Sequence, residues 1–251
     1  MANITLQRDG LTLVGTREEP FGEIYDMAII FHGFNGNRNS RLLTSIADQL
    51  RDENVASVRF DFNGHGDSDG EFRNSTVLNE IADANTILEY VKTDPHVRNI
   101  YLIGHSQGGV IASMLAGLYP DLIKKVVLLA PAATLKDDAR KGYFFGTAYN
   151  PKKVPAEVRH AGVVIDGFYA RIAQNLPIYE WSSQFTGPVC LIHGKEDKVV
   201  DPKASEKYAE TYENAELHLL DDTDHSFSAE DKLAAAVKLV TDFVKPNEFQ
   251  F

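Results

Sequence analysis

A single cysteine, Cys190, stands among the 251 residues, so an intramolecular disulfide is excluded. It lies in an apolar run, PVCLIHG, where a small buried core residue is the ordinary reading. No apolar stretch is long enough to span a bilayer, and a membrane is not expected as a partner. The first ten residues have neither the basic nor the apolar region of a secretory signal, so a cytoplasmic location is expected. Positive charge is scarce: 25 Lys and Arg face 36 Asp and Glu, for a net charge of −11. Without a basic stripe there is nothing to meet phosphates, which argues against nucleic acid. No His, Cys and Asp cluster has zinc spacing, and no Walker loop is present. Gly64-x-Gly66 lacks the third glycine of a dinucleotide fingerprint. Metals and cofactors are therefore not expected. Internal repeats and low-complexity tracts are also missing.

What is present is an alternation of strand-like and helix-like segments. A hairpin around Asp9-Gly10 is followed by a buried strand over 27–31 ending at His32-Gly33. Ser40 is placed to cap a helix with Leu43, Ile46, Ala47 and Leu50 on its apolar face. A strand over 55–62 comes next, then a helical stripe of Val77, Ile81, Ala84, Leu88 and Val91. Strands over 98–104 and 125–129 flank an apolar helix over 109–119. From 132 to 183 the alternation breaks into a stretch rich in glycine, proline and aromatics. It resumes with a strand over 189–193, a helix near 203–212 and a strand over 216–220. A last helix follows, with Ser228 as cap and Asp231 in the capping-box position. Repeated βα units predict a mostly parallel twisted sheet with helices on both faces. The expected division is a core of 1–131 and 184–251 with an inserted lid-like subdomain over 132–183.

The most informative segment is Gly104-His105-Ser106-Gln107-Gly108, a G-x-S-x-G at a strand-to-helix junction. That pattern in that context is the nucleophile elbow of the α/β-hydrolase fold, and it nominates Ser106. A second match, Gly66-Asp67-Ser68-Asp69-Gly70, has no strand running into it and no apolar helix after it. Asp67 and Asp69 would also oppose an alkoxide at Ser68, so this stretch reads as a turn.

A serine hydroxyl needs a base within hydrogen-bond reach and a group that orients the base. In this fold the chain order is Ser, acid, His. His225, between the last strand and the last helix, fits that order better than His193, His218, His96, His160 or His105. The acid is expected after the strand ending at His193-Gly194. Asp197 fits best there, with Glu196 and Asp201 as rivals. The oxyanion needs two backbone donors, expected from Gln107 and Phe34.

With these residues in place, the chain resembles the bacterial cinnamoyl (feruloyl) esterases of the α/β-hydrolase superfamily. The resemblance is carried along nearly the whole length by ASVRFDFNGHGDSDG, RNIYLIGHSQGGV, KKVVLLAPAATLK and GFYARIAQNLPIYE. It implies hydrolysis of esters of ferulate, caffeate or p-coumarate through an acyl-enzyme, under a lid-like insertion. It further implies that Asp138 and Tyr169 hydrogen-bond the ring hydroxyls of a small aromatic ester. Phe145 stands where the family has a glutamine that also contacts the ring, a departure that bears on substrate breadth. The competing readings are a general short-chain acyl esterase, a monoacylglycerol or acyl-CoA hydrolase, and a non-catalytic binding protein of the same fold. A homodimer is compatible with the sequence.

Overall fold

A computed structural model describes residues 1–144, 146–160 and 162–246. Phe145 lies outside the described residues. Strands β1 (Ala2–Arg8) and β2 (Leu11–Glu18) form an antiparallel hairpin. Then β3 (Tyr25–Phe31), α1 (Arg41–Asp52), β4 (Val55–Phe60), α2 (Val77–Lys92), β5 (Val97–His105), α3 (Gln107–Leu118) and β6 (Ile123–Leu129) alternate. The next segment holds α4 (Thr134–Lys141), β7 (Tyr143–Phe144), β8 (Thr147–Ala148), β9 (Glu157–His160), β10 (Val163–Asp166), α5 (Phe168–Ala173) and α6 (Ile178–Ser182). The chain closes with β11 (Val189–Gly194), α7 (Lys203–Thr211), β12 (Ala215–Leu220) and α8 (Glu230–Val244).

The main sheet has eight strands in the order β1-β2-β4-β3-β5-β6-β11-β12. From β4 to β12 every neighbouring pair is parallel, and β1 and β2 are antiparallel. The connections from β3 to β4 and from β4 to β5 move to opposite sides of β3. The strand order therefore reverses beside β3, and the crevice at the C-terminal ends of β3 and β5 is where such sheets place ligands. None of the described strands between α4 and α6 joins the main sheet; they pair as two small hairpins.

Side-chain alternation sorts the core into two layers. On β3, Met27, Ile29 and Phe31 face α2 and α3, through Ile81, Leu88, Ile111 and Leu115. Ala28 and Ile30 face the other way, onto α1 and α8 through Ile46, Leu50, Val237 and Val240. Cys190 is buried in this second layer. Among the described residues no helix is long and apolar enough to cross a membrane.

Three local expectations need correction. Ser40 occupies the N-cap of α1, but its side chain makes no capping bond. Ser228 is not the cap of α8: its N–H is bound by Asp224 Oδ1 at 2.9 Å, and the helix starts from Ala229 instead. The helix after the elbow begins at Gln107, two residues before the expected start, because the turn needs only Ser106 itself.

Gly108 passes directly under the end of β3. A Cβ there would lie 2.4 Å from the carbonyl oxygen of Phe31 and 2.5 Å from that of His32. Both are backbone atoms that cannot swing away. Gly108→Ala should therefore destabilise the fold by about 1–3 kcal/mol, the usual cost of overpacking, read as a lower urea midpoint with an unchanged slope.

Candidate active site

Ser106 sits between β5 and α3 with φ 57° and ψ −122°, a conformation that side chains ordinarily avoid. The turn is held from both sides. Its N–H donates to Leu129 O at 2.9 Å, and its carbonyl accepts from Gly109 N at 2.9 Å and Ala132 N at 3.0 Å. The hydroxyl is thereby raised above the sheet at the N-terminus of α3, where the first N–H groups have no intrahelical acceptor.

The loop after β3 packs against it. A Cβ on Gly33 would fall 2.8 Å from the Ser106 Cβ, so the glycine allows the His32-Gly33-Phe34 backbone to approach the nucleophile turn. His32 anchors that loop. Its Nδ1 donates to Gly33 O at 2.8 Å, and its Nε2 accepts from Phe62 N at 3.1 Å. Burial pushes this imidazole down to about 3, so it is neutral and serves as a structural pin.

The three residues proposed from chain order meet at the C-terminal rim of the sheet. His225 Nε2 lies 2.9 Å from Ser106 Oγ, and His225 Nδ1 lies 2.7 Å from Asp197 Oδ2. Asp197, in the loop after β11, also accepts from the N–H groups of Val199 at 2.8 Å and Val200 at 2.9 Å. Val200 packs inward, whereas Val199 is 57% exposed. Burial would raise the Asp197 carboxyl, but hydrogen bonds from His193 and His225 outweigh it and hold the group well below the usual carboxylate range.

The rival residues have other partners. Ser68 Oγ donates to Asp61 O at 2.7 Å and accepts from Val14 N at 2.9 Å, closing a turn. Glu196 Oε2 accepts from Thr223 N, and Asp201 Oδ1 from Lys203 N at the start of α7. His218 meets Glu216 and His96 meets Glu23 O, both at the surface. His160 ends β9 in a small hairpin, away from the main sheet. His105, next to Ser106 in sequence, donates from Nε2 to the His225 carbonyl at 2.8 Å. Burial pushes its imidazole down to about 4, so it tethers the His225 loop without charge.

Two functional neighbours escaped the sequence reading. His193 is completely buried, with Nε2 3.0 Å from Asp197 Oδ2 and Nδ1 2.7 Å from Ser205 Oγ. Its position at the end of β11, four residues before the acid, was the available signal. Glu80 is also completely enclosed, and its carboxyl takes the Gln107 side-chain amide at 2.6 Å. Glu80 falls three residues after Val77 and four before Ala84, inside the apolar stripe of α2, so periodicity alone turned it inward.

In front of Ser106 is a cavity of about 370 Å³, a size typical of small-ligand pockets. Phe34, Leu135, Phe144 and Tyr169 line it, together with Gln107 and Asp138. The rings of Phe34, Phe144 and Tyr169 meet edge to face at 5.0–5.7 Å. Asp138 lies on α4 at the wall, and burial raises its carboxyl above the ordinary value. Tyr169, on α5, is 2% exposed, and its hydroxyl donates to Gln107 Oε1.

This sheet, with a nucleophile turn after the fifth strand and an imidazole and carboxylate from the last two strand ends, is the architecture of the α/β-hydrolase superfamily. Residues 23–156 match the profile of the serine aminopeptidase S33 family, Hydrolase_4, and the chain belongs to that family. Est1E from Butyrivibrio proteoclasticus, solved with ferulic acid bound, is 30% identical with a TM-score of 0.93; the match covers 96% of this chain and 97% of Est1E. Protein phosphatase methylesterase 1 from Candida albicans is 30% identical over 41% of this chain and 28% of its own length. Palmitoyl-protein thioesterase ABHD10 from Mus musculus is 26% identical over 68% of this chain and 59% of its own length. The first curated relatives are spanned for only 28%, 37% and 46% of their lengths. Family and neighbours thus share this serine-hydrolase architecture.

Ionised Asp197 stabilises the fold above the ordinary carboxylate range, and this contribution is lost as pH falls through its depressed value. His193→Leu removes one of its donors and lessens the depression. Acid unfolding, followed by urea denaturation over a pH series, should then begin at higher pH than in the parent protein.

Proposed function

We propose that the protein hydrolyses esters of hydroxycinnamic acids through an acyl-enzyme on Ser106. The observation that carries this reading is a hydrogen-bonded Ser106–His225–Asp197 chain, at 2.9 and 2.7 Å, opening onto an aromatic-walled cavity with Asp138 in its wall. The ferulic acid bound to Est1E supports the choice of acyl group.

Ser106 Oγ attacks the ester carbonyl while His225 Nε2 takes its proton. Asp197 holds the imidazole through Nδ1 and stabilises its cationic form. The backbone N–H groups of Phe34 and Gln107 receive the oxyanion; the first is brought near by Gly33 and the second opens α3. His225 then returns the proton to the leaving alcohol. A water deprotonated by the same imidazole releases the acid and frees Ser106. No step calls on a cofactor.

The acyl group lies against the apolar wall that Phe34, Phe144 and Tyr169 form together. The segment 132–183 acts as the lid that supplies most of this wall. Asp138 is the acceptor offered to a ring hydroxyl. The phenol of Tyr169, whose own proton is committed to Gln107, can only accept.

Ser106→Ala should lower kcat on ethyl ferulate by about ten-thousand-fold or more with the fold intact; near-normal turnover would refute the nucleophile. In the parent protein, initial rates should favour ethyl ferulate over p-nitrophenyl butyrate. The reverse preference would point to a short-chain or acylglycerol hydrolase. Failure of a fluorophosphonate probe to label Ser106 would point to a binding protein.

A further inference from the structure

Beneath the nucleophile turn a chain of buried polar groups crosses from the core to the segment over the pocket. Glu80 on α2 accepts from Gln107 Nε2 through Oε2 at 2.6 Å, and Gln107 Oε1 accepts from the Tyr169 hydroxyl on α5. Among the described residues the other oxygen, Glu80 Oε1, has no hydrogen-bond partner, and neither does His65 Nε2; both are buried and lie 3.9 Å apart.

The protonation of His65 follows from its other nitrogen. Nδ1 lies 3.0 Å from Asn63 O, and a carbonyl can only accept, so Nδ1 carries the proton. Burial depresses this imidazole and keeps it neutral. Nε2 therefore presents a bare lone pair to Glu80 Oε1. Two acceptors facing each other in a dry core are unfavourable, and a proton on Oε1 resolves both at once.

Among the described residues, the groups around Glu80 offer no competing cation. Asp83, three residues along α2, is taken by Arg8 and Asn63. His65 comes from the loop after β4, with neutral His32 packed behind it at 5.0 Å. From α3 comes the uncharged Gln107, and from α5 the uncharged Tyr169.

We propose that Glu80 is a positioning residue, kept as a neutral carboxylic acid by His65, that fixes the Gln107 side chain and through it both the oxyanion turn and Tyr169. Enclosure supports the protonation state: burial pushes the Glu80 carboxyl up to about 8. Glu80 touches no substrate. Its effect passes through the residue whose backbone N–H is proposed to hold the oxyanion, so the proposal rests on that reading of the site. Above the elevated value Glu80 ionises, Oε1 repels His65 Nε2, and the turn loses its alignment.

The test compares Glu80→Gln with Glu80→Leu on ethyl ferulate and p-nitrophenyl acetate from about pH 6 to pH 10. Gln mimics the neutral acid, accepting from Gln107 and donating to His65. Glu80→Gln should keep kcat within about threefold at neutral pH and lose the decline that the parent shows with a midpoint near pH 8. Glu80→Leu should lower kcat by about tenfold or more on both esters, with KM little changed. Infrared difference spectra at neutral pH should show a protonated carboxyl band that Glu80→Gln removes. This readout needs neither turnover nor a folded Leu variant, so it also separates failure of this proposal from failure of the Ser106 assignment. Absence of that band would overturn the proposal, as would an unchanged basic limb in Glu80→Gln or a loss in Glu80→Gln as deep as in Glu80→Leu.

Discussion

A residue with a side chain held at φ 57° and ψ −122° survives only where the surroundings allow no alternative. At Ser106 that enforcement comes from four directions. Leu129 on β6 fixes its N–H, Gly109 and Ala132 fix its carbonyl, Gly108 lets α3 rise against the end of β3, and Gly33 brings the neighbouring loop alongside. Strain of about 1–3 kcal/mol is typical at such a position, and here the packing of three parallel strands offsets it. The cavity, the imidazole and the carboxylate are all arranged around the single hydroxyl raised by this turn.

The electrostatics of the rim follow from burial. Asp197 would be an unfavourable charge in the core without donors, yet it receives two backbone N–H groups, His225 and His193. Such a carboxylate stays ionised and would stabilise positive charge on the neighbouring His225 imidazole. Three other enclosed imidazoles, on His32, His65 and His105, are depressed by the same burial and carry no charge. Low dielectric thus leaves these three as uncharged, rigid connectors.

The sheet and helices were legible in the sequence because periodicity reports burial directly. The βα alternation and the aromatic break after Pro131 correspond to strands, helices and a region whose described strands stay out of the main sheet. Chain order brought Ser106, Asp197 and His225 into consideration, because a strand-end loop leaves few residues to choose from. Capping was read less well: Ser228 lost its role to a local bond from Asp224, an event with no periodic signature. The contacts of His193, His105 and Glu80 were also hidden. Those of His105 and Glu80 depend on distances between segments far apart in sequence, and that of His193 on how its own loop folds back; a polar residue in an apolar stripe announces burial without naming its partner. The aromatic wall was visible as composition, but which rings face the cavity is decided by packing.

The lone thiol has a practical consequence. Cys190 is sealed within the layer under α8, and burial raises its thiol far above the range where thiolate forms. Thiol-directed reagents consequently find no accessible thiol on the native molecule. A thiol-reactive dye would gain access only when the sheet opens, which makes this side chain a built-in reporter of global unfolding.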